Sequence, residues 1–211
     1  MKELQQILGI SCQEHDHLCP RQILGARIGM AGLTALGFTE APGNKRLLVI
    51  LETDGCFADG VIAAAECTVG HRTLRVEDFG KTAATFVDTR TRKAVRVAPR
   101  VDARAQAERY APEQPTHYLA QMEAYQSMPT EALLTIAEVL LDTPLEQILS
   151  RPGIRTVCMM CGEEILNERE LERDGLVLCR TCAGQGYYRQ APALRADACV
   201  PVTYLDGVPH E

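Results

Sequence analysis

Arg46-Leu-Leu-Val-Ile-Leu-Glu-Thr-Asp-Gly-Cys-Phe-Ala-Asp-Gly-Val-Ile-Ala-Ala-Ala-Glu66 changes character half-way along. Arg46 to Glu52 is an apolar, branched run of the kind that forms a buried strand. Asp59 to Glu66 is alanine-rich and predicts a helix. Thr53-Asp-Gly-Cys56 lies between them, so Cys56 falls at a strand-to-helix turn, close to a helix N-terminus that favours a thiolate. Cys67 comes eleven residues later. A fully helical path would separate the two cysteines by about 16 Å, too far to share one metal ion.

Upstream, Ala41-Pro-Gly-Asn44 reads as a turn, and Pro20 to Leu36 as a helix carrying Ile23, Leu24, Arg27, Ile28 and Ala31 on its faces. Gly25, Gly29 and Gly32 recur on one side of it. A phosphate-cradling loop would need such glycines to follow a strand, so here they predict close helix packing. A short helix is expected over residues 2–10, with Leu4, Ile7 and Leu8 at helical spacing.

Between these two helices stands Cys12-Gln-Glu-His-Asp-His-Leu-Cys-Pro20, with two histidines and two cysteines in nine residues. Imidazole and thiolate are preferred donors of zinc, iron, copper and nickel. His15 and His17 would share a face if residues 14–18 are extended. Cys19 precedes Pro20, which suits the first position of a helix, so Cys19 is the expected N-cap with a thiolate-favouring environment. The stretch therefore reads as a metal site or a nucleophile site, with Cys56 a better candidate than Cys67 to share it. The bland alternative is surface histidines and small core cysteines.

Downstream, Thr82 to Asp88 and Ala94 to Ala98 read as a strand pair turning near Thr89–Arg92. Arg90, Arg92, Lys93, Arg96 and Arg100 cluster there, as a solvated hairpin or, less simply, an anion patch. Residues 102–126 read as helix interrupted by Pro112 and Pro115. Further helices are expected from Pro129 through Leu141 and from Asp142 to Leu149, and Arg151-Pro-Gly153 reads as a hinge.

Past the hinge, Cys158-Met-Met-Cys161 and Cys179-Arg-Thr-Cys182 are separated by seventeen residues. Each Cys-x-x-Cys turns both sulfurs inward, and two such knuckles make a tetrahedral four-thiolate shell. Zinc is the expected ion. A rubredoxin-like iron is the competitor, but its usual Cys-Pro-x-Cys knuckle is missing. Four protein sulfurs leave no open position, which makes the role structural. A satellite this small depends on its metal. Glu168 to Gly175 is expected to be a turn and Leu176–Leu178 a strand. The expected division is a core over 1–150, a four-cysteine domain over 151–190, and an irregular tail over 191–211 that includes Cys199 as a bystander.

A net charge of −6 argues against a general nucleic-acid surface, and the four-cysteine segment is itself acidic in balance. No apolar run approaches the roughly 20 residues a bilayer requires. The Met-Lys-Glu-Leu-Gln-Gln start lacks the apolar stretch of a signal peptide, so a cytoplasmic location is expected. Nine cysteines in a reducing compartment point to metal ligation or catalysis, not to a disulfide framework.

Taken in order, His15-Asp-His-Leu-Cys-Pro20, Thr53-Asp-Gly-Cys56, Cys67-Thr-Val-Gly70 and the four-cysteine module give a chain that resembles the FmdE family of formylmethanofuran dehydrogenase components. The likeness runs from about residue 10 to about residue 185. Arg21 departs from it, standing where the family usually has glycine. The resemblance implies an α+β core with helices on a mainly antiparallel sheet, an auxiliary treble-clef zinc finger, and often a homodimer. It also implies a metal-binding or reactive pocket at His15, His17, Cys19 and Cys56, holding a second transition metal besides the structural zinc. The implied role is accessory to a molybdenum or tungsten redox enzyme. Two further readings stay open: an enzyme using Cys19 or Cys56 as a thiolate nucleophile or redox centre, and a zinc-finger docking module.

Overall fold

The computed structural model describes residues 2–14, 17–149 and 151–189. His15 and Cys199 lie outside the described residues, as does the tail from 190 onward. The chain divides into two compact units, the first ending at Leu149 and the second beginning at Ser150.

In the first unit, α1 (Leu4–Ser11) leads through a single 3-10 turn, Cys12–Glu14, towards α2 (Pro20–Ala35). The extended path expected over residues 14–18 includes His15 and Asp16, which lie outside the described residues. Strand β1 (Leu47–Leu51) is followed by α3 (Cys56–Ala65) and β2 (Leu74–Val76), which pairs with β1 in parallel. A parallel neighbour needs a crossover, and α3 supplies it. Strands β3 (Ala84–Asp88) and β4 (Ala94–Pro99) form the expected hairpin. After α4 (Ala103–Tyr110) and α5 (His117–Ser127), α6 (Thr130–Leu133) is a single turn. The chain then enters β5 (Leu134–Val139), which pairs antiparallel with β4. The unit ends with α7 (Leu145–Leu149).

The helix expected from Pro129 through Leu141 is thus mostly a strand. Thr135, Ile136 and Val139 are β-branched, and β4 offers its outer edge to pair with, so a tertiary partner overrides a mixed local signal. The resulting sheet has the order β2-β1-β3-β4-β5 and is antiparallel apart from β1–β2. The fold class is α+β.

Alternation along β1 shows how the sheet is covered. Leu47, Val49 and Leu51 join the main core with α2 and α3, whereas Leu48 packs with Val87, Ala94 and Leu145 on the opposite face. The period of two therefore builds two apolar layers from one strand. The basic hairpin is no open anion patch. Arg96 makes two bonds to Glu52 (2.5 and 2.7 Å), Arg92 pairs with Glu146, Arg100 with Asp102, and Lys93 reaches the Ala35 carbonyl.

The glycines of α2 do what close packing requires. A Cβ on Gly25 would sit 2.2 Å from the Phe57 carbonyl oxygen, and one on Gly29 would sit 2.5 Å from the Ala64 Cβ. Gly60 reciprocates: its Cβ would meet the Gln22 carbonyl oxygen at 2.1 Å and the Ala26 nitrogen at 2.6 Å. These contacts run in register, so α2 and α3 lie parallel with both N-termini at the same end. The glycine face is filled within the chain by α3 and by Phe86, against which a Cβ on Gly32 would lie at 2.2 Å.

The second unit is built from two antiparallel ladders, β6 (Arg155–Val157) with β7 (Glu164–Leu166) and β8 (Leu171–Arg173) with β9 (Leu176–Leu178), then a short helical turn at Thr181–Gln185. The turn expected over Glu168–Gly175 shrinks to Asp174-Gly175, both at positive φ, because Leu171–Arg173 is a strand.

Candidate metal and thiol sites

Hydrogen bonding of each loop aims the sulfurs of the second unit. In the first knuckle the Cys158 N–H donates to the Glu163 carbonyl and the Gly162 N–H to the Cys158 carbonyl, both at 2.9 Å. Gly162 takes φ +76°, a turn that an L side chain rarely adopts. Met159 N–H donates to the Val177 carbonyl and ties the knuckle to β9. The Cys179 N–H then points at Cys158 Sγ (3.3 Å), and the Cys182 N–H at Cys179 Sγ (3.4 Å). N–H groups directed at sulfur stabilise thiolates, which are the ligating form.

Ligand atoms of Cys158, Cys161, Cys179 and Cys182 all lie within 4.8 Å of one another, and Cys161 Sγ is 3.9 Å from Cys179 Sγ. A tetrahedral ion at ~2.3 Å from each sulfur sets its sulfurs about 3.8 Å apart, so the cluster could hold a metal such as zinc. Crowding separates the thiols' acidities. N–H groups of Cys161 and Cys179 bring Cys158 down to about 6, while the neighbouring Cys179 sulfur and burial push Cys182 up to about 12.

In the first unit Cys19 is the N-cap of α2, as its place before Pro20 predicted, and it is buried. Cys56 opens α3 after Gly55, whose φ of +73° makes the tight entry from β1. The parallel packing of α2 on α3 brings the two helix starts together, and the Cys56 thiol hydrogen-bonds with that of Cys19. Burial, then this bond, raises the Cys56 thiol above the ordinary range, contrary to the thiolate expected from a helix N-terminus alone. His17 is exposed. Among the described residues, His17, Cys19 and Cys56 do not converge as the four sulfurs of the second unit do. Cys67 is fully buried in the main core, its thiol pushed up to about 12 by burial, and is a packing residue.

Two further residues support this site, and only the first carries a local sequence signal. Gln22, fully buried, accepts from the Cys19 N–H (3.0 Å) and donates to the Ser11 carbonyl (3.2 Å) and hydroxyl (3.1 Å). That locks the end of α1 to the start of α2. Gln22 stands three residues after the N-cap, which is the spacing of a capping box with cysteine in the serine position. Tyr118 of α5, whose hydroxyl donates to the Leu18 carbonyl at 3.4 Å, has no such local signal. His117, beside it, pairs with Glu108 at the surface.

A family model described as "FmdE, Molybdenum formylmethanofuran dehydrogenase operon" matches residues 14–150, well over half of the chain. The chain belongs to the FmdE family. A relative in Archaeoglobus fulgidus, named a probable S-adenosyl-L-methionine-binding protein, is 36% identical over 98 residues. That stretch is 45% of this chain and 27% of the relative, so the chain spans a minor part of that protein's length. Among solved structures, an FmdE-like protein of the tungsten formylmethanofuran dehydrogenase type from Syntrophus aciditrophicus superposes with a TM-score of 0.58 at 21% identity, covering 88% of this chain and 95% of that one. It has the same fold. No helix among the described residues is long and apolar enough to cross a membrane.

Proposed function

We propose that this FmdE-family protein is a cytoplasmic metal-binding accessory of a molybdenum- or tungsten-dependent redox enzyme, with zinc in the four-cysteine cluster as a structural ion. The observation that carries the reading is the convergence of four sulfurs at spacings suited to a tetrahedral ion, in a chain of a family whose description names a molybdenum dehydrogenase operon. On this reading the second unit is a treble-clef finger that folds around its zinc. In the first unit, Cys19 and Cys56 supply sulfur, and His15 and His17 supply nitrogen, to a second transition metal. With His15, His17 and Cys19 as its three protein ligands and Cys56 only the candidate fourth, that metal would keep a position open for water or a small ligand. The chain's own part is to hold the two sulfurs together through α2 and α3, and to fix the Cys19 backbone through Gln22. The protein acts as a homodimer.

Metal analysis of the full-length protein tests the reading. One zinc per chain should survive in Cys19→Ser and be lost in Cys179→Ser, while a second metal should be lost in both Cys19→Ser and His17→Ala. Sedimentation at micromolar concentration should show twice the 23.2 kDa chain mass. Retention of stoichiometric metal by Cys179→Ser would overturn the finger assignment.

A second reading, a thiol-dependent enzyme, is favoured by the contact between Cys19 and Cys56. An enzyme of that kind should lose its activity in Cys56→Ser without any change in metal content.

A further inference from the structure

We infer that Cys19 and Cys56 form a reversible redox dithiol, closed to a disulfide by a low-molecular-weight disulfide such as oxidised glutathione. This goes beyond the metal reading of the same residues and does not rest on it. Three observations carry it. Both cysteines are free, and the side chain of Cys19 lies within hydrogen-bonding reach of the Cys56 thiol. They stand at the N-termini of two helices of sixteen and ten residues, which are clasped in parallel by the Gly25–Phe57 and Gly60–Gln22 backbone approaches. Their backbones are also held from outside the pair, Cys19 by the side chain of Gln22 and Cys56 by the left-handed turn at Gly55. A disulfide needs its two cysteine backbones held close together, and the packed helix starts supply that. Exchange proceeds through the thiolate of the attacking sulfur.

Accessibility sets the order of steps, since Cys56 is half-buried whereas Cys19 is 8% exposed. Cys56 loses its proton to solvent, and its sulfur attacks one sulfur of R–S–S–R. The S–S bond breaks, RS⁻ departs and takes up a proton, and a Cys56–S–S–R mixed disulfide remains. Cys19, deprotonated in turn, attacks the Cys56 sulfur and expels the second RSH. Two protein thiols are oxidised by two electrons in total, and one small disulfide is reduced to two thiols.

The test treats metal-free full-length protein, verified by metal analysis, with oxidised glutathione, followed by alkylation, trypsin digestion and mass spectrometry. Peptides 3–21 and 47–72 should appear cross-linked, and Cys56 alkylation should be lost until dithiothreitol restores it. Each peptide also carries a second cysteine, Cys12 or Cys67, so fragmentation must place the bond at Cys19–Cys56. Cys19→Ser should stop at a stable glutathione adduct on Cys56. A persistent adduct on Cys56 in the unmodified chain, a bond to Cys12 or Cys67 in its place, or both thiols still fully alkylated under oxidising buffer would each overturn the inference. Loss of the second metal in Cys19→Ser bears only on the metal reading, so the two can fail separately.

Discussion

In the first unit a continuous apolar cluster runs from Ile7 to Leu134 through both central helices and the sheet, whereas the described buried apolar residues of the second are Cys158, Ile165, Leu178 and Ala183. One of those four is a candidate ligand, and Cys179 and Cys182 pack against the group. The first unit is held by shape, with helix backbones so close that glycine alone fits at the crossing. The second has little apolar surface to offset chain entropy, and its four clustered sulfurs could hold a metal ion in place of a larger core. The same residue type therefore plays opposite parts. Cys67 packs as a small hydrophobe, while the four clustered cysteines of the second unit could stabilise it by ligating a metal ion.

The largest expected effect separates the units. Cys179→Ser should release the finger's metal and unfold residues after about 155, because structural zinc contributes on the order of 10 kcal/mol to such small domains. Limited proteolysis should then cut the second unit and leave the first intact. Protection of both units would mean that the second has a core of its own.

Next comes the shape of the helix crossing. Gly60→Ala should destabilise the first unit by about 3 kcal/mol, at the upper end of overpacking, because its Cβ meets backbone atoms on α2 that have no rotamer to give. Gly9→Ala, inside α1 with nothing within 4 Å, is the control and should gain up to about 1 kcal/mol in helix propensity. Urea denaturation followed by circular dichroism reads both. Equal effects would show that the crossing is looser than its distances.

A smaller effect concerns the ion pair at the end of β3. The Arg46 guanidinium bonds both oxygens of the buried Asp88 (3.0 and 2.8 Å) and holds its carboxyl well below the usual carboxylate range. A depressed native pKa gives stability that is complete above the unfolded value of ~3.9 and is lost as pH falls below it towards the native value. Asp88→Asn should cost on the order of 2 kcal/mol at pH 7 and flatten the acid limb of the first unit's stability curve. Unchanged acid sensitivity would move that limb to other carboxylates. Smallest of all, Tyr118→Phe removes one long, exposed hydrogen bond to Leu18 and should stay within about 0.5 kcal/mol. A larger loss would mark Tyr118 as a support of the Cys19 loop.

Local chemistry was enough to read much of this protein from its residues alone. Pro20 placed the start of α2 and its cysteine N-cap, the apolar run at Arg46–Glu52 placed β1, and the paired Cys-x-x-Cys knuckles named the four sulfurs that the structure brings together. Each signal acts over a few residues and survives any tertiary context. What only tertiary structure decided involves partners distant in sequence. Residues 134–139 became a strand because β4 was there to pair with them, and the glycines of α2 found their use against α3. The Cys56 thiol rose through partial burial and through Cys19, thirty-seven positions earlier, coming to rest beside it. A helix dipole can be read from one turn of sequence, but the burial that outweighs it is a property of the whole packed core.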